Sequence, residues 1–188
     1  RQIVLTELWP EWPANSTLET RIQALFADNR LTLQQAQVQI PQTQTTIDTE
    51  GTVNLADPAA PQLALVSRWQ KLRWPLSGDT LLAELPKGEV TVTGTPAAYQ
   101  AQLSTRLQGE QVPNSDWQIQ LTGSDQQATL EQLNGQLLQG QLQGTGQVRW
   151  QPQLQAALDV SADQLVLTEL VPEWSADIGL DSRIKVQF

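Results

Sequence analysis

The chain has 188 residues, 11 basic and 20 acidic, for a net charge of −9 and a pI near 4.4. That balance excludes a nucleic-acid binder, which needs a basic face, and docking on an anionic membrane through Lys/Arg clusters. With no Cys and no His, there is no disulfide framework, no ordinary zinc or haem ligand set and no Ser–His or Cys–His nucleophile.

The length fits one domain or a little more. No window holds the ~18–20 apolar residues of a membrane span. A chain that opens on Arg rather than Met is expected to be a segment of a longer protein. Only 16% of residues are charged and 39% are hydrophobic, while Gln recurs throughout.

In chain order, "QIVLTELWPEWPA" from Gln2 predicts a strand, a Pro-Glu-Trp break and a second strand. Leu18, Ile22, Leu25 and Phe26 fit helical spacing, yet Leu18, Thr20, Ile22, Ala24 and Phe26 also share strand parity. Leu31-Thr-Leu33 alternates, and parity then shifts between Leu33 and Ala36. The most credible short helix is Thr80–Leu85. Alternation resumes at Val90-Thr-Val92 and is strictest at Trp117-Gln-Ile119-Gln-Leu121. Gly135–Gly146 holds four glycines, too many for a stable helix. Gln147–Trp150 and Leu154–Val160 alternate again. Such stretches have one dry and one wet face, and a Gln-rich parity is a solvated exterior.

The opening stretch returns. Comparing Gln2–Ile22 with Gln164–Ile184, 13 of 21 positions are identical at an offset of 162. Leu18 and Ile22 recur as Leu180 and Ile184, followed by Val186 on the same parity, and Gly179 disfavours helix there. Both copies therefore read as strands. A weaker echo links "PKGEVTVTG" (Pro86–Gly94) with "PNSDWQIQLTG" (Pro113–Gly123). Prolines, Pro86 among them, and glycines such as Gly51, Gly94 and Gly123 read as punctuation between strands.

The fold expected is all-β, with few or no helices: residues 1–188 form a single repetitive array, an elongated, curved, antiparallel-rich sheet of stacked strands. At roughly 10–12 residues per strand and turn, one repeat period would hold about 14–16 strands and rise on the order of 70 Å.

No catalytic constellation emerges. Glu7 and Glu11, or Glu169 and Glu173, are scattered carboxylates flanking a turn. "GQLQGTG" lacks the dinucleotide order of glycines and reads as a bulge or bend. Asn15-Ser16-Thr17 matches a glycosylation sequon at chance frequency. The tryptophans suit strand anchoring better than sugar platforms. No catalytic residue, metal or cofactor is expected.

"LTELWPEWPA" (Leu5–Ala14), "RWQKLRWPLSGD" (Arg68–Asp79) and "LQGQLQGTGQVRWQPQLQAALDV" (Leu138–Val160) resemble the TamB family, part of the wider AsmA-like, bridge-type group. The resemblance spans essentially the whole chain. It implies a β-taco sheet with an apolar inner groove, in a periplasmic protein anchored in the inner membrane through other parts. It implies carriage of phospholipid acyl chains toward the outer membrane. It also implies a partnership, through other parts of the protein, with outer-membrane TamA in assembling proteins such as autotransporters.

A single alternating sheet must hide its apolar face or leave it open as a trough. The candidate groove lining is Leu31, Leu33, Leu63, Leu65 and Val90, then Val92, Leu103, Ile119, Leu121 and Val148. Leu154, Leu158, Val160, Ile184 and Val186 complete it. The alternatives are a scaffold that adds client strands to a sheet edge, and a carbohydrate-binding β-domain using exposed Trp pairs.

Overall fold

The computed structural model describes residues 2–4, 17–75, 81–109, 112–166 and 179–187. The Pro-Glu-Trp breaks, the sequon and Trp9, Trp12 and Trp174 lie outside them. The fold is one sheet of twelve strands in sequence order, every neighbour antiparallel. The strands are β1 (Gln2–Val4), β2 (Thr17–Ala27), β3 (Arg30–Ile40), β4 (Thr45–Asn54), β5 (Gln62–Trp74) and β6 (Ala83–Thr95). They continue as β7 (Ala98–Leu107), β8 (Ser115–Gly123), β9 (Gln127–Leu137), β10 (Gly140–Arg149), β11 (Gln155–Val166) and β12 (Gly179–Gln187).

The only helical element among the described residues is a 3-10 turn at Pro41–Thr43. The sheet stays open, with β1 at one end of the order and β12 at the other, and each strand packs chiefly on its sequence neighbours.

Bulges in β3, β9 and β11 bend the ladder. In β3 one extra residue, Gln34, separates Leu33 from Ala36 against both neighbouring strands. In β9 the extra residue lies between Leu130 and Leu133, and in β11 between Ala162 and Leu165, where Gln164 is left-handed (φ 55°). A bulge bends its strand and tightens the local twist.

The two repeat copies take the same register. Ile3 faces Leu18 and Val4 faces Thr17; 162 residues on, Leu165 faces Leu180 and Val166 faces Gly179. β2 and β12 are thus equivalent strands, ten places apart in the order.

Several expectations are corrected. Among the described residues the repeat contains ten strands rather than 14–16, because long strands of 9–13 residues predominate over the assumed short ones. The expected helix near Thr80–Leu85 is absent where described: Ala83–Leu85 open β6, held by Leu72↔Leu85 and Trp74↔Ala83 pairing. Pro86, Gly51 and Gly94 lie inside strands. Pro86 stands opposite left-handed Lys71 (φ 52°), where the β5–β6 pairing skips one pair.

Candidate functional site: an apolar face

Residues directly opposite across a ladder point to the same face, so the register sorts side chains without ambiguity. One row runs from β2 to β12: Ala24, Leu33, Gly51, Leu65, Val92, Ala101, Leu121, Leu130, Gly146, Leu158 and Val186. None of its side chains is polar. Ten strand spacings of ~4.8 Å make this track about 48 Å long.

The row on one side passes through Leu31, Leu63, Tyr99 and Val148. That on the other side passes through Val90, Leu103, Ile119, Val160 and Ile184. The next contains Ile47, Trp69, Gly88, Trp117, Gly135 and Leu142. These rows hold no charged residue. Two of their hydroxyls are held by partners: Thr49 Oγ1 donates to Ser67 Oγ at 2.9 Å across the ladder, and Thr105 Oγ1 donates to the Lys87 carbonyl at 3.1 Å.

The opposite face is the charged one. Arg68 bridges Glu50 and Glu89, each at 2.6 Å. Arg106 forks onto Asp116 with both bonds at 2.8 Å, and this guanidinium holds the Asp116 carboxyl below its usual range. The hydrogen bonds from Arg183, helped by Lys185, lower the Asp159 carboxyl to about 2.

Although no second layer covers it among the described residues, the apolar face is the more sheltered one. Along β7 and β10 the side chains of this face are half-buried, apart from buried Gly140, and the polar ones exposed. Every glycine within β4–β10 lies on that face. At Gly51 (φ 144°) a Cβ would strike the Ala64 carbonyl. At Gly88, Gly123 and Gly135 it would enter the rings of Trp69, Tyr99 and Trp117. The rings lie over the neighbouring strand and fill the space that glycine leaves.

Toward β12 the face deepens into a groove of about 360 Å³ whose lining includes Leu121, Leu130, Val148, Ala156, Leu158 and Val186.

All the sequence-derived lining candidates fall on this face except Leu154, which sits in the turn before β11 and is 67% exposed. Its parity matched β11, but the strand begins one residue later. Ile47, Val53, Leu130, Leu133 and Leu142 share the face and were absent from the candidates. In β4 the apolar positions alternate with Thr, Asp and Glu but are shared with Thr49 and Gly51, so contrast is weak. In β9 the bulge puts two polar residues between Leu130 and Leu133 and hides the period.

Three of the four described tryptophans are tied into the structure, while Trp74 is 60% exposed. Trp69 is 9% exposed, Trp117 Nε1 donates to Ser115 Oγ at 2.9 Å, and Trp150 Nε1 donates to the Asp125 carbonyl at 2.6 Å. No cluster of potential metal ligands occurs among the described residues.

A family profile described as "TamB, N-terminal domain" matches residues 11–188. The chain belongs to the TamB family. No solved structure matches it significantly. TamB-family proteins belong to the Gram-negative envelope and form a transport and assembly module that works with TamA, in outer-membrane assembly or lipid transport. No described helix is long and apolar enough to cross a membrane. The open, all-β antiparallel sheet fits the β-taco architecture expected of a TamB segment.

Proposed function

We propose that this chain is a periplasmic segment of a bridge, and that its apolar face carries phospholipid acyl chains between inner and outer membrane. The observation that carries this reading is the uncharged row Ala24–Val186, continuous across the sheet from β2 to β12. Each CH₂ kept from water stabilises by about 0.8 kcal/mol, so an acyl chain has strong reason to remain in the trough. Successive positions offer the same chemistry, so a step along the row changes little in free energy and sliding is permitted. At about 48 Å the track exceeds the ~30 Å hydrocarbon core of a bilayer. The four rows hold no cation to grip a headgroup, which stays at the open mouth in water; Arg73, opposite Glu84, lies beyond them.

The test is a charge placed in the track of the full-length protein. Val92→Asp or Leu121→Asp desolvates a carboxylate beside acyl chains, a cost of several kcal/mol, and lipid transfer between inner- and outer-membrane vesicles should fall at least tenfold. Gln102→Asp, on the opposite face, should leave it unchanged. Equal transfer by all three variants would refute the reading.

A further inference from the structure

Gly144 and Gly146, from the "GQLQGTG" stretch of β10, lie on the apolar face with backbones outside the left-handed region. Neither needs glycine for its conformation. Rings cover three glycines of that face in β6, β8 and β9: Trp69 over Gly88, Tyr99 over Gly123 and Trp117 over Gly135. No ring stands among the nearest atoms at Gly144 or Gly146. A Cβ at Gly146 would meet the Ala157 carbonyl oxygen at 2.9 Å and Leu158 Cδ1 at 3.1 Å.

Large and small side chains alternate here in opposite phase on two adjacent rows. From β9 to β11 one row reads Leu130, Gly146, Leu158 and the next Ala128, Val148, Ala156. The three small residues lower the floor between leucine and valine walls, which makes the groove of about 360 Å³. That size is at the lower end of the ~300–1,000 Å³ of small-ligand pockets. No charged residue lines it. Thr129 and Gln147 border it, but they face each other in register on the polar side of the sheet. A polar ligand would leave its own groups unpaired against these walls, whereas a hydrocarbon chain loses nothing.

We propose that this groove is a seat for one acyl chain, where a chain carried along the track rests, and that Ala128, Gly146 and Ala156 set its depth. The chemistry of the track is uniform and its depth is not. The seat therefore holds a chain by contact alone and leaves it able to move on. The inference rests on the acyl-carrying reading and gives it a place.

The probe is palmitate with a photoreactive diazirine in mid-chain, added to the full-length protein, with adducts located by peptide mass spectrometry. Labelling at Leu130, Val148 and Leu158 should exceed that at Leu65 and Val92 several-fold. Ala156→Phe, which fills the floor, should lower labelling at Leu130 and Leu158 several-fold while Leu65 and Val92 keep theirs. Ala156→Val should lower it less. Even labelling along the row would overturn the seat and leave acyl carriage standing. So would labelling at Leu158 that survives Ala156→Phe in a protein that still unfolds cooperatively. Absence of adducts, or labelling of Gln120 and Gln143 as strong as that of the row, would overturn both. Where Ala156→Phe does not fold, Ala156→Val and the distribution in the unaltered protein decide.

Discussion

Gly88, Gly123 and Gly135 each face an aromatic ring on the next strand, Trp69, Tyr99 and Trp117 respectively. At Gly135 a Cβ would lie 2.6 Å from the Trp117 ring, deep inside van der Waals contact. Gly135→Val should therefore destabilise the sheet by about 1–3 kcal/mol. At Gly144 the nearest atoms would be 3.2 Å away, so Gly144→Ala should shift stability by less than ~1 kcal/mol. Urea denaturation of both variants checks the contrast. Charge acts on the other face. The Asp159 carboxyl, lowered to about 2 by Arg183 and Lys185, is more acidic folded than unfolded, where it is ~3.9. Its contribution is fully present above the unfolded value and is lost as pH falls from about 4 toward 2. Hydrogen-exchange protection of β12 amides should weaken over that window, and less so in Asp159→Asn. High salt should mimic the variant, since the pair is solvated.

At the scale of single strands, the bulges leave a written trace. Leu33-Gln-Gln-Ala36, Leu130-Glu-Gln-Leu133 and Ala162-Asp-Gln-Leu165 each set two polar residues between two apolar ones that share a face. The parity shift after Leu33 is therefore a bulge, legible once the neighbours' register is known. A bulge residue is surplus to the alternation. Deleting Gln34 leaves Leu33, Ala36, Val38 and Ile40 on their face, and the chain should still unfold cooperatively. Deleting Gln102 in bulge-free β7 forces either Tyr99 and Ala101 or Leu103 and Thr105 onto the polar face, and cooperative urea unfolding should be lost. Much else was readable: strict alternation at Trp117–Leu121 and Gln147–Arg149 appears as β8 and β10. The strand count was not readable, because glycines and Pro86 that resemble punctuation lie inside strands. There glycine leaves room for a neighbouring ring or backbone, and Pro86 stands where one β5–β6 pair is skipped. The short helical period at Thr80–Leu85 had no second layer to pack on, and pairing with β5 prevailed over it.

At the scale of the molecule, one antiparallel ladder separates an apolar face, uncharged along four rows, from a Gln-rich, ion-paired one. The repeat, returning in register after ten strands, makes that separation extendable. The direction of each side chain follows from cross-strand pairing, so neighbouring residues on one strand report opposite faces. A photo-crosslinking side chain at Leu65, Val92, Leu121 or Leu158, all in one row, should capture phospholipid when the protein is exposed to liposomes. The same group at Gln120 or Gln155 should not. Adducts confined to the row are the predicted result; equal labelling at Leu121 and Gln120, adjacent residues with opposed side chains, would contradict an acyl-carrying face.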